Sequence, residues 1–302
     1  MSGAPNKRLE RTRHERASLV SCVGEPLKRS VGPPGESLRD RLMKFKTRLF
    51  AILWIAGMVG VLSFLLVDLS ALLANLPDAA GASMPFPPFV LKLLSTIQTT
   101  VLLSIAVLVG VALAQRVGLS SPAAEALAGR GNPVAALKPQ IVPGLIGGLA
   151  GGIAIPLAWL LWKPFLPPTF VTRAEQLNRS LPFLTRLLYG GLTEELLLRW
   201  GVMTLLVWLA WRLLQKGKGK PSVVWFVSAI ITSSVIFGLG HLPLVRALAV
   251  NFTVAIIGYI VGANSLFGFI AGYLYWKRGL EAAIIAHMLA HVVIITAMYL
   301  GT

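Results

Sequence analysis

After a polar opening of 46 residues, the chain alternates long apolar runs with short polar loops. Seven runs come close to the roughly 20 residues that a helix needs to cross a hydrocarbon layer. They fall at about 49–69, 89–114, 141–162, 182–211, 222–242, 251–276 and 280–300. The last three are crowded, which leaves room for a short or re-entrant eighth element at 243–254. Nowhere do apolar and polar residues alternate over the length of a strand. In lipid, moreover, a helix satisfies its own backbone. The expected fold is therefore all-α, a polytopic transmembrane helical bundle of seven to eight membrane helices.

Composition narrows the class. Of 302 residues, 55% are hydrophobic and 13% charged, against about 25% charged in ordinary soluble domains. A water-soluble globular enzyme would lack the charge to cover its exterior. A disordered chain would need low hydrophobicity, and the single Cys22 excludes a disulfide scaffold. The net charge of +16 is uneven: residues 1–48 hold 12 Lys and Arg against 5 Asp and Glu. No apolar core follows this basic start in the manner of a secretory signal. Nothing aromatic interleaves the basic tail, so no nucleic-acid partner is expected. The tail and the loops with Arg116, Arg130 and Lys138, with Arg212, Lys216, Lys218 and Lys220, and with Lys277 and Arg278 fall on one side of the membrane. By the positive-inside rule that side, and the N-terminus, is cytoplasmic. The loop 163–181, with Lys163, Arg173 and Arg179, is an exception. Three parts are expected: 1–46 as a basic cytoplasmic tail, 47–179 as N-terminal transmembrane helices, and 180–300 as the part that carries chemistry. The third run holds Gly144, Gly147, Gly148, Gly151 and Gly152. Small residues four apart let helix backbones approach, so this pattern reads as helix packing.

Ionisable residues in lipid are costly, about 2.5–3.5 kcal/mol each on insertion scales. Run four nevertheless carries Glu194, Glu195 and Arg199, run five His241, and run seven His287 and His291. These side chains are expected to face a protein interior or a wet cavity. Residues four apart share a helix face, so Glu195 and Arg199 can pair while Glu194 lies about 100° away. An unpaired glutamate there suits general-base work on water, and the reverse assignment of the two glutamates stays open. His287 and His291 also share a face, a spacing that can chelate one metal. Glu194, His241, His287 and His291 could hold zinc with an open position. They would equally serve a metal-free site in which histidines stabilise an oxyanion. A structural role, or a proton pathway, is the competing reading. Phe237 shares a face with His241 and reads as packing.

In order along the chain, Glu194-Glu195-Leu-Leu-Leu-Arg199 resembles the EExxxR motif of the CPBP family, the CAAX-prenyl-protease-like, Abi and bacteriocin-processing intramembrane proteins. Phe237-Gly-Leu-Gly-His241 is similar to the family's FxxxH motif. His287-Met-Leu-Ala-His291 falls where the family has HxxxN, with His291 in place of the usual Asn. The stretch Gly262 to Leu280 is similar to the family's penultimate helix. The resemblance covers about residues 180–298 and implies a CPBP/Abi-like catalytic transmembrane domain. The implied activity is that of an intramembrane endopeptidase, a CAAX protease-like metalloprotease. Glu194 would activate water, Glu195 and Arg199 would support it, and His241 and His287 would bind a metal or stabilise the tetrahedral intermediate. His291 either completes a metal site, donates to the oxyanion, or marks an altered activity. Zinc is the implied cofactor, beside a metal-free, glutamate-dependent route.

The implied partners are the lipid bilayer and a peptide or protein substrate, membrane-anchored or prenylated. An integral protein of a bacterial cytoplasmic membrane is expected. The alternatives are a non-catalytic immunity or scaffold protein of the same family, and a proton-coupled transporter.

Overall fold

The structure, a computed structural model, describes residues 37–70, 86–247 and 251–300. Among the described residues every regular element is helical. Seven helices there are long and apolar enough to cross a membrane, and the chain is an integral membrane protein. Two units divide the chain, Met1–Met43 and Lys44–Thr302. In the first, Ser37 opens helix α1 (Leu38–Ser63). The Asp40 N–H donates to Ser37 Oγ at 3.1 Å, and that hydroxyl donates to Asp40 Oδ2 at 2.6 Å, a capping arrangement that satisfies a free helix-end donor. A single 3₁₀ turn, Phe64–Leu66, ends this first span.

The other elements are α2 (Pro88–Val117), α3 (Pro122–Ala128), α4 (Pro133–Trp162), α5 (Pro168–Ser180), α6 (Phe183–Leu214), α7 (Val223–Gly240), α8 (Leu242–Ala247), α9 (Val254–Lys277) and α10 (Leu280–Leu300). The seven expected runs each became a span. The eighth element at 243–254 is the short α8, not a crossing. Helices α1 and α4 begin 11 and 8 residues before their apolar runs, at Leu38 and Pro133. Polar residues such as Arg39, Asp40 and Arg41 continue a helix readily outside hydrocarbon, so hydropathy marks the span and not the helix end. Asn132 caps α4 by accepting from the Ala135 N–H at 3.0 Å, and Pro139, Pro143 and Pro156 lie inside that helix.

Two short helices were not foreseen. The N-terminus of α3 is seated on Glu281 of α10, whose Oε1 accepts from Ser121 Oγ at 2.8 Å and from the N–H groups of Ala123 and Ala124 at 2.9 and 3.0 Å. A carboxylate at a helix N-terminus meets unpaired N–H groups and the positive end of the dipole. The amphipathic α5 buries Phe170 and Leu177 in a small apolar cluster with Leu166, Val245 and Ile256.

The packing of α4 is legible in its glycines. A Cβ at Gly144, Gly148 or Gly152 would meet Ile285, Leu289 or Val293 of α10. One at Gly147 or Gly151 would meet Leu274 or Phe267 of α9. The first set rises together along both chains, so α4 and α10 run parallel, as spans three and seven must. Opposite Gly190 and Gly191 of α6 stand His291 and Met288, and Glu195 meets His287. That order falls as the other rises, so α6 and α10 are antiparallel. The outward faces remain apolar, with Leu94, Ile97, Val101, Ile146 and Ile153 exposed, as lipid-facing surface should be.

Candidate active site

The site is built on α6, and its backbone departs from a plain α-helix. Residues Arg186–Thr193, Leu196–Met203 and Ala210–Leu214 are π-helical, and Glu194 and Glu195 sit between the first two segments. Such i→i+5 windings are rare, usually a single turn, and frequent at functional sites. Winding of this kind leaves carbonyls misaligned with the ordinary ladder. One finds a side-chain donor here: Thr204 Oγ1 donates to the Arg199 carbonyl at 3.2 Å, and shares a 2.7 Å hydrogen bond with the Tyr275 hydroxyl. The hydroxyls of Thr185 and Thr193 donate to the carbonyls of Ser63 and Gly57 at 2.8 and 2.9 Å, pinning α6 to α1.

Four of the six expected residues meet directly. Arg199 Nε lies 3.3 Å from Glu195 Oε2, with both side chains at zero exposure. This is an ion pair without the alignment of a hydrogen bond. The other oxygen of Glu195 accepts from His287 Nδ1 at 2.8 Å. On the far side of the same ring, His287 Nε2 stands 4.0 Å from Glu194 Oε2. Glu194 keeps 18% of its side chain exposed where Glu195 has none. Glu195 is thus tied to both Arg199 and His287, whereas Glu194 has the longer contact to His287.

His241 and His291 reach the cluster through rings. His291 stacks on His287 at 4.9 Å and 16°. Its Nε2 is buried with no hydrogen-bond partner among the described residues and lies against Gly190. His241 donates Nδ1–H to the Phe237 carbonyl; the two atoms are 2.8 Å apart. Phe237 is the residue whose role was under-read. Its ring is edge-on to His241 at 4.8 Å and to His287 at 5.9 Å, and it faces the Arg199 guanidinium at 5.3 Å. Its sequence signal was the shared face with His241. Phe267 and Gly268 of α9 lie in the stretch that resembles the family's penultimate helix, where the sequence gives them no separate role. Phe267 packs on His287 at 4.3 Å, and the Gly268 carbonyl accepts from Arg199 Nη2 at 3.3 Å. A Cβ on Gly268 would collide with Ser234, so glycine lets α7 and α9 close and bring that carbonyl in.

The donor set has some features of a metal centre and lacks others. His287 and His241 each spend Nδ1–H on a carboxylate or a carbonyl, a habit of metal-binding histidines. Yet among the described residues no three His, Cys, Asp or Glu side chains converge on a point where they could hold an ion. The set Glu194, His241, His287 and His291 is thus gathered but not assembled as a metal centre.

Residues 176–293 match a family model described as type II CAAX prenyl endopeptidase Rce1-like. The match takes in α6 to α9, with the end of α5 and most of α10. No curated protein and no solved structure matches the chain. The family match supports a membrane protease-type function. The polar cluster on α6, α7 and α10 accordingly lies within an Rce1-like domain of the CPBP family that occupies residues 176–293.

Proposed function

We propose that the protein is an intramembrane endopeptidase in which Glu194 activates the hydrolytic water. The observation that carries this reading is His287, held at 2.8 Å by Glu195 on one side and 4.0 Å from Glu194 on the other. A separation beyond about 3.5 Å leaves both polar groups able to bond a shared water. Glu194, Glu195, Arg199 and His287 form a neutral group when both glutamates are ionised and His287 carries both ring protons. The group stays neutral if one proton moves from His287 to Glu194.

The steps follow. Glu194 takes a proton from water as the oxygen attacks the scissile carbonyl carbon. His287, oriented by Glu195, donates Nε2–H to the carbonyl oxygen as it becomes an oxyanion. Glu194 returns its proton to the leaving nitrogen, the C–N bond breaks, and the products are a carboxylic acid and an amine, which exchange one proton to become carboxylate and ammonium. His241, with its ring fixed by the Phe237 carbonyl, could donate through Nε2 only as the doubly protonated ring; neutral, it offers Nε2 as an acceptor. Arg199 and Glu195 do not touch substrate in this scheme; they position His287. The substrate we propose is a membrane-anchored peptide or protein, prenylated or otherwise lipidated, in a bacterial cytoplasmic membrane with the N-terminus cytoplasmic.

The test is Glu194→Gln in protein reconstituted into vesicles with a membrane-anchored reporter peptide. Cleavage should fall at least about 100-fold, as loss of a general base costs, while insertion and thermal midpoint hold. Wild-type cleavage by this variant would discard the reading. Chelation by EDTA is expected to leave cleavage unchanged, because among the described residues no three ligands converge. Loss that is restored by zinc would replace the metal-free route.

A further inference from the structure

A small cleft lies between α1, α2 and α6, outside the polar cluster. It is lined by Val61, Phe64, Ser95, Thr96, Thr99 and Tyr189, with room for water centres of about 40 Å³. One water needs about 10–15 Å³ by that measure, so the cleft has space for about three. A water in it also needs two to four polar partners, and four hydroxyls line the walls.

Three of those hydroxyls, on Ser95, Thr96 and Thr99, belong to a polar stripe on an otherwise apolar α2, and the stripe divides in two. Thr96, Thr100 and Ser104 each donate to the carbonyl four residues back, at 2.8 Å. Ser95 and Thr99, four apart, make no such bond among the described residues and line the cleft. A hydroxyl without a partner in hydrocarbon is costly; Thr99 meets the Tyr189 phenol, and water can satisfy Ser95. Tyr189 forms the opposite wall. Its phenol faces Thr99, and Glu194 stands one turn on in α6, its backbone N–H donating to the Tyr189 carbonyl. Its ring packs on Phe64 at 6.2 Å. At the α1–α2 end, Lys92 Nζ donates to the Leu65 carbonyl at 3.1 Å, putting a cation one turn from Ser95.

We infer that this cleft is a binding site for water and the inlet that supplies it to Glu194, with Tyr189 as the positioning residue at its inner wall. This rests on the reading of Glu194 as the base. Two of its three walls come from α1 and α2, outside the family-matched segment, so the inlet is built by the N-terminal helices.

Cys22 is the chain's single cysteine, so a Cys22→Ser background allows thiol mapping of the full chain in vesicles. Ser95→Cys and Thr99→Cys should react with a charged, water-soluble maleimide at least tenfold faster than Ile97→Cys and Val101→Cys on the lipid face. Equal, slow rates at all four positions would overturn the inlet. This readout needs no cleavage, so it stands apart from the Glu194→Gln test. In active protein, Tyr189→Phe should lower kcat several-fold with KM unchanged. An unchanged kcat, or a loss confined to KM, would remove Tyr189 from the path.

Discussion

Helices α4 and α6 both press glycines against α10, and they use them for different ends. In α4 the glycines recur at regular helical spacing. Those that face α10 each receive an aliphatic side chain: Ile285 at Gly144, Leu289 at Gly148, Val293 at Gly152. The result is close backbone approach and nothing more, which is what small residues supply where lipid gives helices no hydrophobic drive. In α6 the backbone is π-wound, and Gly190 receives an imidazole. Room made by a missing side chain becomes room for His291, which in turn stacks on His287. One helix is held by shape; the other is held by charge, through Glu195, Arg199 and His287.

The largest effect should come from breaking the charge side. Arg199→Ala leaves Glu195 at zero exposure with half its compensation gone. Breaking a buried pair by removing one partner costs about 3–5 kcal/mol, so the variant should express poorly or melt far below wild type in detergent. A thermal midpoint equal to wild type would mean that His287 and Gly268 suffice, and that α6 is not held by that pair.

A matched pair of glycine substitutions sharpens the contrast. In Gly148→Ala the new Cβ would sit 2.7 Å from Leu289 Cβ and 2.8 Å from the Ala286 carbonyl oxygen. Backbone must move, at about 1–3 kcal/mol for overpacking, so the midpoint should fall while KM stays put. In Gly190→Ala the new Cβ meets the far end of a side chain, the His291 ring. The ring can turn, so stability should change less and kcat more. Should both variants move the same parameter, the distinction between a packing helix and a site helix fails.

How much of this was legible follows the same line. Seven spans could be read because a run of apolar residues is a local property, and so could the α4 pattern. The Glu195–Arg199 pair was legible from a four-residue spacing, and it survives the π winding because the carboxylate and guanidinium are long enough to meet at 3.3 Å. The winding itself was not legible. It depends on what α1, α9 and α10 offer to α6: the carbonyls of Ser63 and Gly57, the Gly268 carbonyl and His287. The place of Phe237 between two imidazoles and a guanidinium is tertiary in the same sense, as is the cap that Glu281 provides to α3 across 158 residues.

That cap region supplies the smallest test, a half-buried carboxylate outside the polar cluster. In α3, burial pushes the Glu125 carboxyl above its usual range, while its bond from the Ser121 N–H pulls the other way. The folded state therefore holds the proton more tightly than the unfolded chain, whose value is near 4.5. Above that pH the folded protein binds more protons than the unfolded one, so stability must fall as pH rises through the window. Glu125→Gln removes the titration and keeps an oxygen for Ser121. Its midpoint should match wild type at or below pH 4.5 and exceed it slightly at pH 7. A variant less stable than wild type at pH 7 would show that the ionised carboxylate, beside Ser121 and Gln115, is a favourable part of the loop. Glu125 would then join α6 as a charge that holds structure, and shape would no longer be enough to explain the α4 side of the bundle.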